Sequence, residues 1–230
     1  MGGTFGKSES VPAPDFDLLG KGTNYEIRAY SPYVVAEVAE ESGDSGQDER
    51  FRTLAKYIGV FGKPANTAAG GGDGRSIAMT APVVTGNPSL DQGTTISMTA
   101  PVVESSGSAS NTMQFIMPKE FKTISDLPAP TDSRVSLRQV PEHVYLVRQF
   151  SGNMGSGDRH DATAERERAV AVSGAEADGW FSEYVQASSK FLVARYDPPW
   201  TLPFLRTNEL WFPLPLSRSE AAAKLPSAKD

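Results

Sequence analysis

The chain has 230 residues, no cysteine and only two histidines, His143 and His160. Without cysteine there is no disulfide framework, no thiolate nucleophile and no thiolate metal ligand, which suits a reducing compartment. A cytoplasmic location is the expectation. Nowhere does the chain approach the ~18 successive apolar residues of a membrane-spanning helix. The N-terminus has neither the apolar core of a signal peptide nor the arginines of a transit peptide. Basic excess is missing too: 22 Lys and Arg against 28 Asp and Glu leave a net charge of −6. Phosphate binding needs clustered cations, so nucleic acid is not an expected partner. There is no Gly-x-Ser-x-Gly elbow, no His-Glu-x-x-His and no dinucleotide fingerprint, and Gly70-Gly71-Gly72-Asp73-Gly74 lacks the Lys-Ser/Thr that completes a phosphate loop.

What is present is a hydrophobic share of 39%, enough for a full core at this length, and a phrase written twice. Ile77-Ala78-Met79-Thr80-Ala81-Pro82-Val83-Val84 recurs as Ile96-Ser97-Met98-Thr99-Ala100-Pro101-Val102-Val103. Gly86, Asn87, Pro88, Asp91 and Gly93 between the copies turn the chain. Ile, Met and Ala alternate against Thr, which predicts two antiparallel strands, each bulged or at an edge where proline removes a ladder donor. Met79 and Met98 are expected to fill gaps in the core.

Tyr25–Tyr30 and Tyr33–Val38 read as strands joined tightly at Ser31-Pro32. Asp48 can cap a helix in which Phe51, Leu54, Ala55 and Ile58 share one face, stopped by Gly59 or Gly62. Met113–Met117 is a strand ended by Pro118. Val135–Val140 and Val144–Phe150 read as a hairpin about Pro141, and a helix follows from about Asp161 to Ser173. Phe191–Tyr196 and Glu209–Leu214 close the pattern. Two rounds of strand, strand, helix, strands predict an α+β fold with a pseudo-two-fold axis, in which two helices flank a curved antiparallel sheet or distorted β-barrel. One domain over residues 23–216 is expected, between a flexible leader, residues 1–22, and a loose tail, residues 217–230. Gly2 is a candidate myristate acceptor, although Gly6 stands where Ser or Thr is preferred.

Several stretches carry a resemblance, in order along the chain. They are Tyr25-Glu26-Ile27-Arg28 with Tyr33-Val34-Val35-Ala36, Lys56-Tyr57-Ile58-Gly59, the doubled Met-Thr-Ala-Pro, Phe115-Ile116-Met117-Pro118, Phe150-Ser151-Gly152, Tyr196-Asp197-Pro198-Pro199-Trp200, and Arg206-Thr207-Asn208-Glu209-Leu210. Together they resemble the SOUL haem-binding family, in a plant or algal form, over roughly residues 24–214. The resemblance implies a distorted barrel with two helices and a haem or other tetrapyrrole as bound ligand. It makes chloroplast association the alternative location.

It also implies a shallow hydrophobic cleft. One wall is the first helix, with Phe51, Leu54, Ala55 and Ile58; the other is the loop before the last strand, with Pro198, Pro199, Trp200, Leu202 and Phe204. Read from its residues, that loop is stiff and apolar, and exposed apolar loops tend to bind. Porphyrin propionates call for cations, for which Arg50, Arg52 and Lys56 are the candidates. The family's basic residue in the Pro-Pro loop is Thr201 here. Neither histidine lies in the segments around the cleft, so no axial ligand is assigned. A carrier or buffer of haem or porphyrin is the expected function. The rivals are an enzyme that removes iron from haem and an interaction module for another flat apolar ligand or a protein segment.

Overall fold

Strands buried on both faces carry the fold, and the computed structural model describes residues 14–39, 46–68, 72–86, 94–95, 112–154, 158–187, 191–197 and 200–225. In chain order the elements are β1 Phe16–Gly22, β2 Tyr25–Tyr30, β3 Tyr33–Ala39, α1 Gln47–Ile58, β4 Asn66–Thr67, β5 Val83–Gly86, β6 Thr94–Thr95, β7 Thr112–Ile116, β8 Ala129–Pro130, β9 Val135–Val140, β10 His143–Phe150, α2 Asp158–Asp178, α3 Ser182–Ala187, β11 Leu192–Arg195, β12 Asn208–Leu214 and α4 Arg218–Lys224. A strongly curled antiparallel sheet of ten strands runs β1-β2-β10-β12-β11-β5-β7-β3-β9-β6, and β4 pairs with β8 apart from it. The fold is α+β, as the pattern predicts.

The internal repeat is laid out about the junction of β11 and β5. Outward from it, one side reads β11, β12, β10, β2 and the other β5, β7, β3, β9. These are corresponding members of the two rounds of the sequence pattern. The two expected hairpins are not hairpins. β2 pairs with β1 and β10, and β3 pairs with β7 and β9. At Ser31-Pro32 and at Pro141-Glu142 the chain passes from one half of the sheet to the other. Neither link has the Asn-Gly or Gly-x chemistry of a two-residue hairpin turn, and the residue before proline is held extended.

The first copy of the phrase also departs from expectation. It is a strand only from Val83; residues 77–82 form an extended strap, tied down by the Ile77 amide donating to the Ile58 carbonyl at 2.9 Å and by the Thr80 hydroxyl donating to the Ile116 carbonyl. Ile77, Thr80 and Ala81 are buried, whereas Met79 is 39% exposed and is no core residue. Once Thr80 turns inward for its hydrogen bond, its neighbour must turn out. The second copy, with Met98, lies outside the described residues.

Regular structure extends past both expected domain limits. β1 falls in the stretch expected as a leader, and its Phe16 ring lies 5.3 Å from that of Tyr30, with the Arg28 guanidinium 4.4 Å over Phe16. In the expected tail, Ser217 and Glu220 form a capping box that starts α4, and Ala221 is buried. α2 is longer than expected at both ends.

Successive side chains divide the core into three parts. Ile27, Leu146, Leu210 and Phe212 pack under α2 with Ala164, Ala171 and Ala175. Val34, Ala36, Phe115 and Leu137 pack under α1 with Leu54, Ala55, Tyr57 and Ile58. The opposite face of the same strands, with Tyr30, Val35, Val84, Tyr145, Leu192 and Trp211, fills the inside of the curl. Period-two alternation on curled strands separates these faces.

Candidate functional site

The inner face carries ions, and they are paired. Glu209, buried, accepts from Arg28 Nη1 at 2.9 Å, from the Tyr196 hydroxyl at 2.7 Å and from Trp211 Nε1 at 2.7 Å. Burial opposes the Arg28 charge, but the Glu209 carboxylate, the Tyr30 hydroxyl and Glu26 together outweigh it and hold the guanidinium above its ordinary value. Burial, reinforced by Glu209, pushes the Tyr196 hydroxyl up, so it stays a donor. On the other half Arg138 Nε meets Glu37 at 3.1 Å, both buried. These pairs organise the interior of the curl; the outer face is the one that the helices cover.

There α1 lies across β3, β7 and β9, and α2 across β1, β2, β10 and β12. The two helices thus border the outer face of β5 and β11, a strip at the pseudo-axis, here called the seam, where Val193 is buried and Val83, Thr85 and Arg195 are half-buried. A row crosses this seam where the β11–β12 loop leaves the sheet: Phe115 opposite Val83, Val83 opposite Arg195, and Arg195 opposite Asn208. Opposed residues share a face, and two strand spacings put Phe115 roughly 10 Å from Arg195 along the row. The Phe51 ring of α1 stands 5.4 Å from that of Phe115, so α1 borders one side of the seam.

The loop at the seam is apolar and exposed. Trp200 is 82% exposed, Leu202 55%, Phe204 69% and Leu205 60%. The loop is also braced. Thr207 donates its amide to Asp197 Oδ2 at 2.7 Å, Arg206 Nε donates to the Thr201 carbonyl at 2.7 Å, and Arg206 Nη1 reaches Asn153 Oδ1 at 3.2 Å. A single 3-10 turn, Pro203–Leu205, holds Phe204 and Leu205 outward.

On α1 the structure splits the sequence-predicted residues. Leu54, Ala55 and Ile58 face the sheet and are buried, because an amphipathic helix covers the sheet with its apolar stripe. Phe51 is partly exposed; Arg52 and Lys56 are exposed; Arg50 is buried. Pro198 and Pro199 lie outside the described residues. Gly59, at φ 87°, ends the helix in the left-handed conformation that side chains avoid. Beyond it Val60 and Phe61 are exposed, as is Met79 on the strap. Those three were not read from sequence as site residues; only the neighbours of Gly59 and Thr80 reveal their exposure.

His143 begins β10, and Phe150, at the other end of this eight-residue strand, is level with Asn208. At ~3.4 Å per residue the histidine is about 24 Å from the seam row. The side chain of His160 is not described. A hollow of about 80 Å³ lined in part by Tyr33, Thr80, Ile116 and Phe121 falls short of the ~300 Å³ of a small-molecule pocket. The exposed loop at the seam is the candidate surface. Among the described residues, no helix is long and apolar enough to cross a membrane.

Two pseudo-equivalent halves of a curled antiparallel sheet, each backed by a helix and meeting under an exposed apolar loop, define the architecture. The chain belongs to the SOUL heme-binding protein family, whose model matches residues 11–213. No curated protein matches it. Among solved structures it is similar to the crystal structure of the EcmrR C-terminal domain, at 11% identity and a TM-score of 0.38, covering 82% of this chain and 96% of that one. The cryo-EM structure of an EcmrR–DNA complex is also similar, at 11% identity and a TM-score of 0.43, covering 83% of this chain and 57% of that one.

Proposed function

We propose that this chain carries or buffers haem or a related tetrapyrrole, held on the seam between α1 and the β11–β12 loop. The observation that carries the reading is the braced loop with Trp200, Leu202, Phe204 and Leu205 all exposed. Large apolar side chains fixed in water by hydrogen bonds cost stability unless a partner covers them, and a flat macrocycle suits such a surface. Burying ~300 Å² of apolar surface at ~25 cal/mol per Å² contributes roughly 7 kcal/mol before ordering costs, enough for micromolar binding. Trp200 and Phe204 supply aromatic faces for the ring, and Phe51, Val60 and Phe61 extend the apolar surface along α1. A bound haem would supply its iron; this chain's part is to shield the macrocycle's faces and hold its edge.

Titration of the purified protein with haem and with protoporphyrin, followed by absorbance and by quenching of tryptophan emission, tests the reading. Trp200→Ala should weaken both about tenfold and leave the melting temperature unchanged, since an 82% exposed side chain packs no core. Unchanged affinity in this variant places the ligand elsewhere. Iron released as free metal during incubation would instead support the enzymatic rival.

A further inference from the structure

Buried or partly buried arginines in this fold usually come with a carboxylate: Arg28 has Glu26 and Glu209, Arg138 has Glu37, and Arg148 has Glu167. Arg195 does not. No carboxylate lies within 4.0 Å of it among the described residues, and its hydrogen bond to the Thr85 hydroxyl is long, 3.4 Å from Nη1. Its Nη2 is shut off from solvent and has no hydrogen-bond partner. Leaving a guanidinium nitrogen dry and unbonded is costly, and a fold that tolerates it keeps a place for an anion.

The position of Arg195 says which anion. It is the last residue of β11, on the outer face, opposite Val83 of β5 and Asn208 of β12. Five residues on, Trp200 opens the exposed apolar run of the same loop. On the other side, Val83 and Phe115 lead along the row to Phe51. A ligand lying over this seam meets apolar side chains along its faces and the Arg195 cation at its edge. Burial holds the guanidinium below the ordinary arginine value, the direction that an incoming carboxylate reverses. The side chain retains partial exposure, so it is reachable once the long Thr85 contact is given up.

We infer that Arg195 is the carboxylate anchor of the seam, pairing with a propionate of the bound tetrapyrrole through its guanidinium fork. The inference rests on the proposed tetrapyrrole reading and assigns to β11 a role that the sequence suggested for Arg50, Arg52 and Lys56 on α1. A bidentate pair is available to Arg195 because Nη2 is uncommitted and Nη1 is held only weakly.

The test compares iron-free protoporphyrin IX with its dimethyl ester, which keeps the ring and removes the charge, on wild type, Arg195→Met and Arg195→Lys. Wild type should bind the free acid at least tenfold more tightly than the ester. Arg195→Met should bring the acid down to the ester's affinity and leave the ester unchanged; Arg195→Lys should retain part of the preference. Melting temperatures without ligand should be unchanged or raised in Arg195→Met, because an uncompensated cation has been removed. Equal binding of acid and ester by wild type, or a preference unaltered in Arg195→Met, overturns the anchor while leaving tetrapyrrole binding in place. A lower ligand-free melting temperature in Arg195→Met assigns the arginine a structural role and overturns it as well. Failure of wild type to bind either probe overturns the tetrapyrrole reading, and the anchor with it, and is distinguished by the absence of any titration.

Discussion

α1 and α2 are equivalent in the internal repeat and meet the sheet in opposite ways. α1 sets large side chains against it, Leu54, Tyr57 and Ile58, with Phe51 at the margin. α2 sets small ones, Ala164, Ala171 and Ala175, and where Gly174 passes the β1–β2 turn a Cβ would stand only 1.9 Å from the Thr23 carbonyl oxygen. The α2 half is then fastened: Thr23 donates its amide and its hydroxyl to Asp178 at 2.7 and 2.8 Å, and Arg148 pairs with Glu167 at 2.9 Å. On the α1 half, Arg52 and Lys56 stay exposed, and the helix ends in the exposed pair Val60 and Phe61. One copy of the repeat is closed by backbone proximity; the other keeps its margin open beside the seam. Side-chain size, together with the Thr23–Asp178 and Arg148–Glu167 contacts, separates the two halves of a common topology.

The largest effect is expected inside the curl. Glu209 holds Arg28, Tyr196 and Trp211 together and belongs to the strands under α2. Glu209→Ala leaves Arg28 buried without its carboxylate there, so the loss should be about 3–5 kcal/mol by chemical denaturation. Glu209→Gln, which keeps an acceptor, should lose less. A loss under about 1 kcal/mol for Glu209→Ala would mean that water enters the interior, and the closed half would not be closed.

Next comes the contact that separates the helices. In a free helix Gly174→Ala gains about 1 kcal/mol of propensity. Here the added methyl meets backbone, not a flexible side-chain end, so α2 must lift from the β1–β2 turn. A net loss of about 1–3 kcal/mol is expected. A more stable Gly174→Ala protein would show that α2 stands off the sheet as α1 does, and the comparison would fail.

How much of this was legible beforehand follows from which residues carry their own signal. Val135–Val140 and Tyr25–Tyr30 match their predicted bounds to the residue, because a short run rich in β-branched and aromatic residues, bounded by turn residues, is a local signal. Their partners were not, because pairing is decided by where the chain goes after Pro32 and Pro141. Exposure of the Trp200 loop was legible, since a run of prolines and apolar residues cannot join a sheet interior. The apolar stripe of α1 was read as a cleft wall, although the same periodicity that marks a helix also commits Leu54 and Ile58 to the sheet beneath it. Arg195 was invisible as a site residue: what marks it is a missing carboxylate, and absence of a partner is a property of three dimensions.

The smallest expected effect is that of Met79→Ala, read against a buried neighbour in the strap at the edge of the open half. Ile77 and Met79 are alternate residues of one phrase, which the strand pattern places on one face, with Met79 expected in the core. Ile77 is buried beside the end of α1, its amide on the Ile58 carbonyl; Met79 faces out, between that helix end and the root of β5. Ile77→Ala should therefore cost about 2–5 kcal/mol, as truncation of a buried aliphatic side chain does. Met79→Ala should stay within about 0.5 kcal/mol, as for a surface position. Thermal melts of the two variants give this contrast directly, with each serving as the other's control. Similar losses for both would return Met79 to the core and close the strap. A neutral Met79→Ala whose protoporphyrin affinity falls by a factor of two or three would place the thioether at the ligand's margin, on the half that stays open.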